Sequence, residues 1–113
     1  DTKVVIDGKL REDHCIESTS DTFHGEQWVT AELEVHGSKV AIHRINGKQV
    51  MEYNDLQLDD GTPREGGFIA LQAESHPTDF RSVRLLNLKG CMDSKAKNFK
   101  PWYVADDKSS CKY

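Results

Sequence analysis

Four polar side chains at one predicted turn, Gln72, Glu74, His76 and Arg81, are the best candidates for chemistry in this chain. They lie inside residues 67–93, where apolar residues lead into the turn and out of it. A carboxylate, an imidazole and a guanidinium at one sheet edge can bind a polar ligand, hold a metal ion or move protons. The alternative is a hairpin whose polar side chains only face water, as charged side chains usually do.

Two apolar segments would position this turn. Apolar and polar residues alternate over residues 68–75, which predicts a half-buried strand. His76-Pro77 would end that strand, because proline cannot donate to a ladder and forces its predecessor into extended geometry. Residues 80–88 are apolar on both faces, which predicts a central strand covered on both sides.

A meander precedes these segments. Residues 29–36 alternate between apolar and polar, and Asn46-Gly47 is the strongest short hairpin signal, because its turn needs positive φ at both central positions. With two-residue turns at Gly37-Ser38 and Asn46-Gly47, the facing pairs follow. They are Val35 with Val40, Ile42 with Met51, and Glu32 with His43. The predicted core face is Val29, Ala31, Leu33, Val35, Val40, Ile42, Met51 and Tyr53.

The first 27 residues are predicted to be irregular, apart from a short strand at residues 4–6 closed by Asp7-Gly8. His24 lies near the entry to the meander, where it could line the mouth of a cleft. Cys15 is interpreted as a buried free thiol. Strands with tight turns and almost no helix predict an antiparallel all-β sandwich. Five or six strands are too few for two full sheets, so we expect the C-terminal part of a larger sandwich.

The composition excludes several classes of protein. The chain has 113 residues, a formal net charge of −4 and 30% charged residues, and it shows no clustered basic run of the kind that nucleic-acid binding needs. No apolar run approaches the ~20 residues that cross a bilayer. We therefore expect neither a nucleic-acid partner nor a transmembrane segment. The first residue is Asp1, from which we expect a processed chain or a fragment.

Three cysteines, Cys15, Cys91 and Cys111, leave one thiol over if two of them pair. Cys91 and Cys111 bracket a polar tail, and a bridge between them would close a loop of about 20 residues and stabilise by roughly 3 kcal/mol. Such a bridge implies an oxidising compartment. Two unpaired thiols are the alternative. The sequence contains no CxxC pair of the kind that is typical of zinc sites. We expect residues 1–89 to be part of a β-sandwich domain and residues 90–113 to be a disulfide-closed tail.

Three stretches together resemble one family, the 3-keto-disaccharide hydrolases. WVTAELEVHGSKVAIHRINGKQV resembles that family's W-x3-E-x3-G-x5-H-x-x-N-G meander, and GFIALQAESHPTDFRSVRLLNL resembles its G-x-I-x-L-Q-x-E-x-H-P-x-x-F-R-N-I ending. CIESTSDTFHGEQW looks like its loop into the meander. GCMDSKAKNF…SSCKY resembles the Cys-bracketed tails of proteins from Bacteroidetes-type bacteria. The chain has Ser82 where the family usually has Asn, and it lacks the family's F-N-G-x-x-L-x-x-W opening.

The resemblance implies a concanavalin-like (jelly-roll) sandwich and cleavage of glycosides that carry a ketone at C3. The ketone acidifies the C2 proton, a base removes it, and the enolate expels the C1 substituent before water adds. Glu74 and His76 match the family's E-x-H, where either one serves as the base or as a ligand of a divalent metal ion. Arg81 would hold a sugar oxygen or orient Glu74. His43 matches the family's meander His, and we expect it to bind substrate together with Gln72, with Glu32 predicted opposite it, and with His24 at the cleft mouth.

Other functions remain open at the level of sequence. A non-catalytic carbohydrate-binding sandwich, or an accessory subunit of a cell-envelope assembly for glycan uptake, would have the same architecture. The partner in each case is an oligosaccharide or glycoside, together with another chain if that chain supplies the missing strands. The expected location is secreted, periplasmic or associated with the outer membrane of a Gram-negative bacterium.

Overall fold

The computed structural model of this chain describes residues 2–113. It divides into two compact units, of which the first ends at Ala70 and the second runs from Leu71 to Tyr113. The boundary predicted between residues 89 and 90 falls inside the second unit, and that division stays a prediction.

The first unit is a five-stranded antiparallel sheet with the strand order β2-β1-β5-β4-β3. Its architecture confirms the all-β prediction and is what an incomplete sandwich would show. Among residues 2–113, no helix has the length and apolar character needed to cross a membrane. The strands are β1 (Thr2–Ile6), β2 (Lys9–Arg11), β3 (Ala31–His36), β4 (Val40–Ile45) and β5 (Lys48–Leu58).

A tight hairpin joins β1 to β2. Asp7 and Gly8 have φ values of 50° and 76°, the left-handed conformations that a type I′ turn requires. The predicted strand at residues 4–6 and its turn are therefore confirmed. The prediction that the following residues are irregular is wrong for β2, which pairs with β1 through Leu10 and Val5.

The turn between β3 and β4 is one residue longer than predicted. His36 pairs with Val40, and the Lys39 N–H donates to the His36 carbonyl over 3.0 Å, so the turn holds three residues. Val35 consequently faces Ala41 and not Val40. A shift of one residue moves each side chain to the other face of the sheet, so the predicted pairing of β3 with β4 is wrong throughout.

The hairpin between β4 and β5 has the predicted Asn46-Gly47 turn, with φ values of 49° and 82°. A β-bulge follows, because Arg44 pairs with Gln49 while His43 pairs with Met51, which leaves one extra residue on β5. Met51 therefore faces His43 and not Ile42. One face, called the apolar face here, carries Ala31, Leu33, Val35, Ala41, His43, Ile45, Met51 and Tyr53, whereas Val40 and Ile42 lie on the other face.

The apolar face is covered only in part. Ala41 is fully buried, but Leu33 is 56% exposed and Val35 is 44% exposed. On β5 the buried side chain of Val50 lies where the irregular segment after β2 returns, and Thr19 N–H donates to the Val50 carbonyl over 2.9 Å. The core of this unit is accordingly small.

Residues 66–88 contain no strand, so the strands predicted at residues 68–75 and 80–88 are wrong. Their large apolar side chains are exposed, Phe68 fully and Leu85 to 82%. An extended segment becomes a strand only when a neighbour satisfies its N–H and C=O groups, and in the described chain no strand pairs with these residues. The alternating pattern is present without the ladder that would make it a strand.

The second unit is organised by the disulfide between Cys91 and Cys111, whose Cα atoms lie 4.9 Å apart, and this confirms the predicted pairing. Strand β6 (Lys89–Gly90) pairs in parallel with β7 (Ala105–Asp106), and a short 3₁₀ helix spans Lys108–Ser110. Cys15 is free as predicted, but it is exposed, so the prediction that it is buried is wrong.

Hydrogen bonds beside the disulfide tie the two ends of the tail together. Lys97 N–H donates to the Lys112 carbonyl over 2.7 Å, and Lys112 N–H donates to Asn98 Oδ1 over 2.9 Å. The Asn98 amide in turn donates to the Ser110 carbonyl over 2.8 Å. One backbone bond and two bonds of the Asn98 side chain thus hold the two ends of the tail together without long strands.

Candidate functional site

The predicted catalytic residues lie in the exposed segment at the start of the second unit. Gln72, Glu74, His76 and Arg81 are all exposed. The chain bends at Ser75, whose φ of 69° is unusual for a residue with a side chain, so Glu74 and His76 flank a sharp change of direction. The bend begins at Ser75, one residue before the predicted His76-Pro77, and the strands on either side are not formed. The roles of these four residues stay predictions.

The metal-binding prediction for Glu74 and His76 rests on two donor groups. Within residues 2–113, no group of three or more His, Cys, Asp and Glu side chains is placed to hold a metal ion. Zinc enzymes usually supply three protein ligands, so the side chains as placed here do not form a complete set.

Tyr53 is a partner of His43 that the sequence analysis missed. The two residues occupy neighbouring rows of the apolar face, since Met51 faces His43 and Ala41 faces Tyr53. Their ring centroids are 5.4 Å apart, and His43 Nε2 lies 3.0 Å from the Tyr53 hydroxyl oxygen. Its cross-strand neighbours on this face, Leu33, Ala41 and Met51, are aliphatic or Met.

Both members of this pair are neutral at pH 7, and burial favours the neutral form of each. It lowers the pKa of His43 and raises the pKa of Tyr53, because a half-buried site disfavours the charged imidazolium and phenolate. A neutral imidazole can accept one hydrogen bond and donate another, which suits it to bind a sugar hydroxyl or carbonyl.

The other face of the sheet carries an ion-pair network around Glu34. Its Oε1 lies 2.7 Å from His36 Nε2, and its Oε2 accepts from Arg44 Nη1 over 2.8 Å. Hydrogen bonds from His36 and then from Arg44 hold the pKa of Glu34 below its usual value. Arg44 Nη1 also donates to Glu32 over 3.0 Å.

This network corrects the predicted pairing of Glu32 with His43. Glu32 faces Arg44, and it lies on the face opposite the one that carries His43. The cause is the three-residue turn after β3, which shifts the register by one position. A sugar held against one face of the sheet would therefore contact Glu32 or His43, and not both.

A groove of about 400 Å³ opens beside β5, at the point where β1 ends. It combines apolar walls with carboxylates and the Arg11 guanidinium, whose Nε and Nη2 are occupied by Asp13 over 3.0 and 2.8 Å. Met51, which lines the groove, is the cross-strand neighbour of His43, so the groove adjoins the His43–Tyr53 pair. The groove lining includes Ile6, Arg11, Ile16, Glu17, Met51 and Glu52.

His24 lies in the exposed loop before β3. Its carbonyl accepts from the Gln27 side chain over 2.7 Å, and Gly25 next to it has a φ of 75°, so the loop turns sharply at this point. The structure gives its imidazole no resolved role, and its assignment to substrate binding stays a prediction.

One signal in the sequence could have revealed part of the Glu34 network that the sequence analysis missed. Glu34 and His36 are two positions apart in an alternating segment, and this spacing alone puts them on one face. Tyr53 was assigned to the predicted core face while His43 was assigned to the other one. The pair becomes visible only when the register is correct.

One comparison with known proteins identifies a family for this chain. A family model described as a 3-keto-alpha-glucoside-1,2-lyase-like domain matches residues 4–86. No curated protein and no solved structure matches the chain. The match covers the five-stranded sheet from residue 4 onward, with the His43–Tyr53 pair, and the exposed segment with Glu74 and His76. The chain belongs to the 3-keto-alpha-glucoside-1,2-lyase-like domain family.

Proposed function

We propose that this chain cleaves 3-keto-glycosides by removing the proton at C2 and expelling the substituent at C1. The observation that carries the proposal is the extent of the family match, residues 4–86. That range contains every residue assigned above to catalysis or to substrate binding. It also contains the His43–Tyr53 pair, whose neutral polar groups lie on an apolar surface suited to a sugar.

The reaction needs a base, an electrophile and a proton donor. A C3 ketone stabilises the carbanion at C2, so the base takes the C2 proton and the electron pair forms an enolate. The enolate then expels the C1 oxygen with its substituent, which leaves as an alcohol after it receives a proton. Water adds to the resulting enone and restores the 3-keto sugar. One glycoside and one water thus give one 3-keto sugar and one alcohol.

Glu74 and His76 are our candidates for the base and for the proton donor. Both are exposed to solvent, where a substrate can reach them, and both lie at the same bend. Arg81 carries a permanent positive charge that suits an enolate oxygen, and Gln72 can donate to a sugar hydroxyl. A divalent ion at Glu74 and His76 is a separate proposal, since these two donors are not a full ligand set, and no step above depends on it.

Ultraviolet absorbance tests the reaction, because elimination from a 3-keto-glycoside produces a conjugated enone. We expect the absorbance to rise with the unchanged protein, and we expect Glu74→Gln and His76→Ala to slow it by about 10²–10⁴-fold, the usual size of a general acid–base contribution. Glu65→Gln and His14→Ala are matched controls, since both residues are exposed and lie outside the proposed site. Full activity in both site variants would refute the assignment.

The same assay separates an enzyme from a carbohydrate-binding module. A folded protein that binds a 3-keto-glycoside but produces neither enone nor free alcohol would be a binding module. Repeating the reaction with a chelator and then with added Mn²⁺ tests the proposed divalent ion. Loss of activity that Mn²⁺ restores would support the ion.

We also propose that the protein works outside the cytoplasm. The disulfide between Cys91 and Cys111 persists in oxidising compartments and is rare in the cytosol. More specifically, we propose that the protein is periplasmic or secreted. Fractionation of the producing cells, with the disulfide state read by thiol labelling, tests it, and a reduced protein in the cytosol would contradict it.

A further inference from the structure

The hydrogen bond between Tyr53 and His43 has a preferred direction. Both groups are neutral at pH 7, so either the phenol donates to Nε2 or the imidazole N–H donates to the phenol oxygen. A phenolic O–H is the stronger donor and a bare imidazole nitrogen is the stronger acceptor, so the first arrangement is favoured. The two heavy atoms are 3.0 Å apart, a distance at which this bond is fully formed.

A donor at Nε2 decides which tautomer the imidazole adopts. The nitrogen that accepts a hydrogen bond cannot carry the ring proton, so the proton is left on Nδ1. A free histidine side chain prefers the opposite form, with its proton on Nε2. The neighbours Ala41 and Met51 further favour the Nδ1–H tautomer, because water competes less for Nε2 at this half-buried position.

We propose that Tyr53 is a positioning residue that fixes His43 as the neutral Nδ1–H tautomer and so aims a single N–H donor at an oxygen of the bound sugar. A neutral imidazole can polarise a carbonyl without transferring its proton. The acceptor is a hydroxyl or carbonyl oxygen of the sugar. That the ligand is a sugar rests on the function proposed above, whereas the assignment of the His43 tautomer does not.

The groove beside β5 gives the sugar a place next to this pair. Ile6 and Met51 supply apolar surface for the ring faces, and the carboxylates of Glu17 and Glu52 can accept from hydroxyls. Met51 is common to the groove and to the row that holds His43. His43 and Tyr53 are not part of the groove lining, so a sugar in the groove would reach them by extending past Met51.

Nitrogen NMR of the imidazoles tests the tautomer directly. Protein labelled with ¹⁵N at histidine is measured at about pH 8, where an ordinary histidine with a pKa near 6.5 is neutral. The His43 signals are assigned by their loss in His43→Asn. We expect the proton of His43 on Nδ1 in the unchanged protein, and the proton of exposed His14 mainly on Nε2. A His43 ring with its proton on Nε2 would overturn the proposal without any variant at Tyr53.

Tyr53→Phe removes the donor and keeps the ring. We expect the His43 tautomer ratio to shift at least about fivefold toward Nε2–H, which is the effect of losing one ordinary hydrogen bond. Tyr113→Phe is the matched control, because it removes a tyrosine hydrogen bond to Asp93 in the second unit and should leave His43 unchanged. An unshifted ratio in a folded Tyr53→Phe protein would contradict the role of Tyr53.

The activity assay then tests the link to substrate binding. If the tautomer is as proposed and the unchanged protein makes neither enone nor free alcohol, the proposed reaction fails while the tautomer assignment stands. If the protein is active, we expect Tyr53→Phe to raise KM by about fivefold with a smaller change in kcat, because the variant weakens one hydrogen bond to the sugar. A shifted tautomer with unchanged KM would refute the link to the sugar.

Discussion

Reduction of the disulfide should loosen the tail by an amount that follows from the chain length it closes. Cys91 and Cys111 are separated by 20 positions. The loop-closure entropy for a loop of this size corresponds to about 3.3 kcal/mol at 25 °C. Opening of the tail should therefore become more favourable by about 3.3 kcal/mol, which is roughly 250-fold in population. The rest of the chain keeps its covalent structure in this perturbation.

Amide hydrogen exchange measures this change at individual bonds. The N–H groups of Lys97 and Lys112 donate across the closed tail, over 2.7 and 2.9 Å, so they exchange when the tail opens. Under conditions where closing is faster than exchange, their rates should rise by roughly 250-fold on reduction. The Ala41–Tyr53 row of the five-stranded sheet is the internal control, and its rates should not change.

Two results would refute this reasoning. Equal exchange at Lys97 and Lys112 before and after reduction would mean that the disulfide contributes nothing to the closed form of the tail. An equal acceleration in the five-stranded sheet would mean that reduction destabilises the whole chain and not the loop. A Cys91→Ser, Cys111→Ser variant should behave like the reduced protein, with an additional cost because Cys91 is fully buried.

Three further predictions follow from the packing and the charges. Amides in residues 68–88 should exchange at rates near those of an unfolded peptide while β4 and β5 are protected, and protection at 68–75 and 80–88 would show that strands form there. Gly90→Ala should destabilise the second unit by about 1–3 kcal/mol in a denaturant titration, because the added methyl group would clash with the Tyr103 ring, whereas Gly66→Ala meets open space and should be neutral. His43 has a lowered pKa in the folded state, so its contribution to stability is present above about pH 6.5 and is lost as the pH falls through the folded pKa. Thermal unfolding measured between about pH 7.5 and 5.5 should show this loss of stability, and His43→Asn should show less of it. An identical pH dependence in the two proteins would refute the assignment.

Local chemistry determined much of what the sequence predicted correctly. Asp7-Gly8 and Asn46-Gly47 form tight turns because the conformations they need are open to Gly and Asn and closed to most other residues. The disulfide was predictable because two cysteines bracket a short tail that has little else to hold it. The family assignment likewise depends on residue types at fixed spacings, and the match over residues 4–86 bears it out.

Tertiary structure alone decided the register and therefore the site. Gly37-Ser38 fits a two-residue turn, but the pairing of β3 with β4 brings Lys39 into the turn. The bulge on β5 likewise cannot be predicted from the alternation of apolar and polar residues. These two shifts separate Glu32 from His43 and bring His43 to Tyr53. Residues 68–88 carry a strand pattern without a strand, because alternation records which side chains prefer burial while a ladder needs a neighbouring backbone. Turns and cross-links depend on nearby residues and can be predicted from sequence, whereas strand partners and facing side chains depend on residues far apart in the chain.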